Sequence, residues 1–334
     1  MKCYKKDYPR PQFVRDNWMN LNGTWDFGFD DENRGEKEAW YEKFKGERQI
    51  QVPFTYETNL SGIGEEEIHE NVWYRRSFAV NGEMLCGKRL LLHFEGSDFL
   101  TKVWVNGSFA GSHRGGYSRF SFDVTDLVRD GENELVVKVE DSTDIRQPRG
   151  KQRWIKENFA CWYVQTTGIW KTVWMEYVPE IRLDHVKITP VLTDNAVELE
   201  YEIAAAAECF GDELSVEAVV SFDGMFVAKG TVFMAASHAK TVLEVSGSGE
   251  NAFVWGVRTW SPEEPDLYDI TFRVRYKGEV CDEVGSYFGM REIRIDGPNI
   301  LLNGKPLYQR LILDQGYWKD SHLTPPSEEA LIED

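Results

Sequence analysis

Residues 134–140 read Glu-Leu-Val-Val-Lys-Val-Glu, with Leu135, Val137 and Val139 on one face and the charges and Val136 on the other. Strict alternation of this kind suits a half-buried strand and does not suit a helix. Along the first 180 residues 121–124 alternates too, 90–95 and 101–105 are strand-like, and these stretches are separated by turn signals. Asn106-Gly107 is the sharpest of these, a two-residue hairpin turn leading into 108–113. Asp130-Gly131 is another. Short strands at this spacing predict a β-sandwich or jelly roll over 1–179.

A break falls at Tyr177-Val178-Pro179-Glu180, and a second β region follows. Residues 198–203 alternate, and Leu214, Val216, Ala218 and Val220 share a face. Residues 221–224 read as a turn, and 268–276 as a long amphipathic strand that ends at Lys277-Gly278. About seven strands in roughly 105 residues is the size of an immunoglobulin-like sandwich, expected here over 180–287. No Cys-Trp-Cys spacing accompanies it, so this sandwich would lack the inter-sheet disulfide.

Residues 288–334 have another character. Asn303-Gly304 marks a hairpin that runs into the apolar Leu311-Ile312-Leu313, expected as a buried strand. A polar-aromatic loop, 314–318, comes next. Thr324-Pro325-Pro326-Ser327 then starts a helix, with Glu328 and Glu329 in its first turn. Strand, loop and helix start make the first unit of a (β/α)8 barrel, cut short at Asp334. Leu301, Leu302 and Leu311 to Leu313 would lack barrel partners. The segment is therefore expected to be the least ordered, or to pack on a second copy, which leaves a homo-oligomer open.

Charge and cysteine usage narrow the partners. A formal net charge of −18 argues against nucleic acid and anionic membrane surfaces. Five widely spaced cysteines, Cys3, Cys86, Cys161, Cys209 and Cys281, contain no CxxC and suggest neither a disulfide framework nor a zinc site. No apolar run has the length of a transmembrane span, and the first residues show no signal-peptide core. A cytoplasmic location is expected.

Several segments, in order, resemble the front of glycoside hydrolase family 2, the β-galactosidase, β-glucuronidase and β-mannosidase group. They are 20–27 (Asn-Leu-Asn-Gly-Thr-Trp-Asp-Phe), 71–78 with its Trp73-Tyr74-Arg75-Arg76, and Val103-Trp104-Val105-Asn106-Gly107. His113-Arg114-Gly115-Gly116-Tyr117 running on to Phe122-Asp123-Val124-Thr125 follows, then Gly168-Ile169-Trp170 and Trp260-Ser261-Pro262-Glu263. Phe288-Gly289-Met290-Arg291 and Leu302-Asn303-Gly304-Lys305-Pro306 complete the set. The resemblance implies an all-β front, a jelly-roll sugar-binding domain and an immunoglobulin-like domain, entering a catalytic barrel.

It also implies retaining hydrolysis of β-glycosides by two carboxylates, which in the family are glutamates on later barrel strands. No residue here matches those motifs, so no catalytic residue is assigned, and Glu65-Glu66-Glu67 reads as a charged loop. No metal ligand or cofactor is implied, and the expected partner is a carbohydrate substrate. Residues 147–165 form a long, basic and aromatic loop before the "GI" strand, and packing at a domain interface is one account of it. In the family such a loop places an acidic residue on the sugar, which is the competing account. By spacing, Trp162 stands there in this chain, which suggests stacking, with Trp154 next. The barrel entry offers Asp314, Gln315, Tyr317 and Trp318, and of these Asp314, Tyr317 and Trp318 are the candidate substrate-binding residues, because barrel sites lie at strand C-terminal ends. The chain alone is expected to be inactive. The rival expectation is a stand-alone carbohydrate-binding β-sandwich protein.

Overall fold

The computed structural model describes residues 6–246 and 256–334; Cys3 lies outside them. The chain divides into two compact units, one of 1–9, 17–177 and 314–334 and the other of 10–16 and 178–313. The residues read as a barrel entry thus part at Asp314, between the two units.

The first unit is a jelly-roll sandwich of two antiparallel sheets. Six strands, Arg48–Val52, Gly23–Phe29, Asn71–Val80, Gly131–Glu140, Leu100–Val105 and Ser108–Arg114, lie side by side in that order. Four more, Trp18–Asn20, Val173–Pro179, Lys88–Phe94 and Phe120–Asp123, make the facing sheet. The alternating residues of Gly131–Glu140 meet between the layers: Leu135, Val137 and Val139 pack with Trp25, Phe27, Leu92 and Met175. The hairpin turn is as its sequence demands, with Asn106 and Gly107 both at positive φ, 50° and 79°. Asp123 ends its strand as a cap, Oδ1 accepting from the Thr125 amide at 3.1 Å.

The other face of the six-stranded sheet departs from the reading. Val136 and Lys138 do not meet solvent. Residues 30–45 fold over them, and Val136, Trp73, Trp104 and Phe44 form a second apolar cluster. Lys138, 1% exposed, donates to Asn33 Oδ1 at 2.7 Å, Glu36 Oε1 at 2.9 Å and Glu140 Oε1 at 3.0 Å. A buried ammonium is tolerated only with such partners.

The second unit is an immunoglobulin-like sandwich. Arg182–Val191, Ala196–Ala204 and His238–Glu244 face Met225–Met234, Gly211–Phe222, Tyr268–Tyr276 and Glu279–Phe288. Leu214, Val216, Ala218 and Val220 all enter its core, with Leu199, Phe272 and Val284. No disulfide forms among its described residues: Cys209 and Cys281 are free thiols. An ion pair does part of the stapling, since Arg15 Nε and Nη2 reach Asp282 Oδ1 and Oδ2 at 3.0 and 2.8 Å.

The hairpin at Asn303-Gly304 is present, pairing Asn299–Leu302 with Lys305–Pro306. The buried strand expected after it is not. Residues 307–317 join no ladder, and Leu311, Ile312 and Leu313 are 79%, 88% and 82% exposed. A strand is made by its neighbours' hydrogen bonds, and among the described residues none pairs with this one. The helix start is as read, Glu328–Glu333 capped by Ser327, whose Oγ accepts from the Ala330 amide at 3.1 Å. No helix among the described residues is long and apolar enough to cross a membrane.

Candidate functional site

One end of the jelly roll carries the long excursion 141–167. Its C-terminal end is tied down where Gly168–Ile169 pairs with Ser97–Asp98, and Thr167 Oγ1 joins the two ends by donating to Asp141. Gly168 has φ 101°, and a Cβ there would lie 2.1 Å from the Tyr74 hydroxyl, so only glycine fits. Within the excursion the arginines are internal struts. Arg149 Nη2 donates to the carbonyls of Ser142 and Asp144, both at 2.8 Å. Arg153 donates to Gln165 Oε1 at 2.9 Å, Asn158 Oδ1 at 3.1 Å and the Glu66 carbonyl at 2.7 Å. A backbone pair, Arg153 N to Tyr163 O and Tyr163 N to Lys151 O, both 2.7 Å, closes the tip.

Beneath it lie three buried carboxyls. Asp98 Oδ2 accepts from Gln152 Nε2 at 2.6 Å, Asp141 accepts from Thr167 Oγ1 at 2.8 Å, and Glu57 accepts from the Thr167 amide at 2.9 Å. Burial pushes Glu57 and Asp98 each up to about 8 and Asp141 up to about 6. Raised carboxyls are a common mark of acid catalysts. A general acid must touch the leaving oxygen, however, and Asp98 and Glu57 are 1% and 3% exposed. Glu57 holds the Thr167 amide, and Asp98 holds the Gln152 side chain.

Residues 314–324 dock on the same unit. Thr324 Oγ1 donates to the Trp170 carbonyl at 2.7 Å, and the Leu60 amide to the Asp320 carbonyl at 3.4 Å. This brings Tyr317 onto Tyr163, ring centroids 4.4 Å apart and planes 24° from parallel. Lys151 Nζ donates to Gln315 Oε1 at 2.6 Å, and the Tyr163 hydroxyl reaches the same oxygen at 3.5 Å.

The sequence expectations sort accordingly. Trp154 and Trp162 come together, edge to face at 5.1 Å, with Phe159 stacked on Trp162 at 5.1 Å. Tyr317 lies at the junction with the excursion. Trp318, half-buried, exchanges backbone hydrogen bonds with His322 at 2.9 and 3.0 Å. Asp314 is turned onto its own loop, Oδ1 accepting from the Gly316 amide at 2.8 Å. Gln315 was in view at the barrel entry but not chosen as a candidate, and Lys151 and Tyr163 were missed. Their only signal was position, within stretches already singled out for their rings.

Two family models match in sequence order. "Glycosyl hydrolases family 2, sugar binding domain" covers 18–179, and "Glycosyl hydrolases family 2" covers 181–291. The chain belongs to glycoside hydrolase family 2. Among its family 2 relatives, a β-galactosidase of Thermoanaerobacter pseudethanolicus is 27% identical over 298 residues, 87% of this chain and 36% of its own length. A putative β-glucuronidase of Formosa agariphila is 29% identical over 241 residues, 71% of this chain and 27% of that protein. The crystal structure of Ruminococcus gnavus β-glucuronidase superimposes with a TM-score of 0.74 at 21% identity, over 96% of this chain and 53% of that one. The chain thus spans about a quarter to a half of these proteins. The all-β reading, jelly roll followed by immunoglobulin-like sandwich, stands within the family. Among the described residues no cluster of His, Cys, Asp or Glu could hold a metal ion.

Proposed function

We propose that this chain is the sugar-facing front of a retaining β-glycosidase of β-galactoside or β-glucuronide type, and that by itself it does not hydrolyse. The observation that carries the reading is the joining of the excursion to the 314–318 loop through the Tyr163–Tyr317 stack and the Lys151–Gln315 bond. Two stretches singled out for sugar contact, far apart in sequence, share one surface. The names of the relatives, β-galactosidase and β-glucuronidase, supply the reaction class.

Retaining hydrolysis needs an acid/base and a nucleophilic carboxylate about 5 Å apart across the scissile bond. The buried Asp98, Asp141 and Glu57 are committed to structure, and no pair in this chain is offered for that role. Purified chain is expected to leave nitrophenyl β-galactoside and β-glucuronide intact. Turnover that disappears on a substitution within these 334 residues would overturn the reading.

Trp162 keeps its stacking role in this proposal. Phe159 stacks on the ring and Trp154 meets it at a steep angle, and the part that stays exposed is what a pyranose would use. Burying a sugar's C–H surface there contributes on the order of 1–2 kcal/mol. In the glycosidase that carries this chain, Trp162→Ala is expected to raise KM about tenfold. An unchanged KM with a lowered melting temperature would return the ring to packing.

A further inference from the structure

The excursion is rich in cations, and all but one of those near its tip are committed. Arg149 and Arg153 are spent on backbone carbonyls and side-chain amides. Arg146 pairs with Asp144, and Lys156 with Glu67 at 2.7 Å. Lys151 is exposed, and its hydrogen-bond partner among the described residues is neutral, the Gln315 side-chain oxygen at 2.6 Å.

That contact fixes the Gln315 amide. An ammonium only donates, so the oxygen must face Lys151, and the Tyr163 hydroxyl supports the same orientation from 3.5 Å. The NH2 end is then turned the other way with two hydrogens to give. Lys151 keeps two more. The pair therefore offers donors and no free acceptor, beside a wall made by the stacked Tyr163 and Tyr317. Sugar hydroxyls both donate and accept, so they do not require such a set. A carboxylate, which only accepts, does. On a chain of net charge −18 an anionic ligand gains little from the general field and depends on a local cation. The nearest carboxylate in sequence, Asp314, is occupied by the Gly316 amide.

We propose that Lys151 and Gln315 read the carboxylate of an acidic sugar, a uronide, whose ring lies against Tyr163 and Tyr317. This rests on the glycosidase reading and selects the uronide within it.

The test is a binding ratio, which needs no turnover. The 334-residue chain is titrated with methyl β-glucuronide and methyl β-glucoside, followed by NMR of the tyrosine and glutamine side-chain signals. The uronide is expected to bind about tenfold more tightly, the scale of one charge-assisted hydrogen bond. Gln315→Glu keeps an acceptor for Lys151 and Tyr163, so the fold is retained, but it places a carboxylate against the ligand's own. It is expected to abolish the preference, and Lys151→Met to reduce it to near unity. Equal binding of the two sugars by the parent chain, or a preference that survives Gln315→Glu, overturns the proposal. A stronger response to methyl β-glucoside 6-sulfate than to the uronide overturns the carboxylate assignment. Failure of the glycosidase reading shows separately: the preference persists while the intact protein hydrolyses no β-glycoside.

Discussion

Trp73→Ala is expected to destabilise the jelly roll by about 3–5 kcal/mol, the range for emptying a buried tryptophan site. Trp73 belongs to Asn71–Val80 and is fully buried on the outer face of the six-stranded sheet. Its ring stacks on Trp104 at 5.5 Å and meets Trp40 edge-on at 5.7 Å. Its indole N–H donates to Asp30 Oδ2 at 2.9 Å, and Asp30 also accepts from the Arg34 and Gly35 amides at 2.8 and 2.9 Å. Gly35 lies so close that a Cβ would stand 2.7 Å from the ring. Truncation therefore opens a cavity and takes a donor from the carboxylate that folds 30–35 back on itself. The covering segment should loosen, and the buried Lys138 with it. Denaturant unfolding, read on the jelly roll's own transition, checks the figure. Trp73→Phe is expected to cost less, because a ring still fills the space. A loss below about 1 kcal/mol for the alanine variant would mean that the covering segment collapses into the gap at little cost.

This region also marks where the sequence stopped being legible. The inner face of Gly131–Glu140 could be read because period-two alternation is a local property, and Leu135, Val137 and Val139 are all in the core. The turns were legible for a similar reason: Asn106-Gly107 encodes positive φ in two adjacent residues. The outer face was not. Lys138 looks like a solvent residue until its partners Asn33 and Glu36, some hundred positions away, are laid over it. Leu311 to Leu313 failed in the opposite direction. An apolar run gives a capacity for burial, but burial itself needs neighbours, and these side chains are exposed.

The candidate site was half legible in the same sense. Rings can be picked out by type, and Trp154, Trp162 and Tyr317 do gather on the excursion or against it. What each ring packs on cannot be picked out. Trp162 has Phe159 on one face, and Tyr317 has Tyr163, pairings that depend on how the tip closes through Lys151 and Tyr163. Gln315 carries no compositional signal. It stood among the barrel-entry residues, and nothing set it apart from them until its oxygen was seen to be held by Lys151.

The jelly roll is expected to be most stable in mild acid and to lose stability as pH rises toward about 8, with Glu57→Gln removing much of that loss. Burial holds the Glu57 carboxyl at about 8 against 4.5 for a free side chain. Below about pH 4.5 it is protonated folded or unfolded and has no effect on the balance. Above that, the unfolded chain ionises and the folded one does not. Stability then falls by up to about 1.4 kcal/mol per pH unit until the folded carboxyl also ionises near its own pKa. Asp98, also held near 8 by burial, acts in the same direction. Glu36 and Glu140 set the acid limit. Burial raises both, but Lys102 and Lys138 more than reverse it, so their contribution is lost only as pH falls through their lowered values. Glutamine copies the neutral form of Glu57 and can still accept from the Thr167 amide. Unfolding free energies of parent and Glu57→Gln, from denaturant titrations, should therefore nearly coincide at about pH 4 and diverge in favour of the variant by about pH 8, on the order of several kcal/mol. Asp98→Asn should repeat the trend. A gap between parent and variant that does not change over this range would mean that Glu57 is already ionised in the folded chain, with Thr167 and its neighbours sustaining a buried charge.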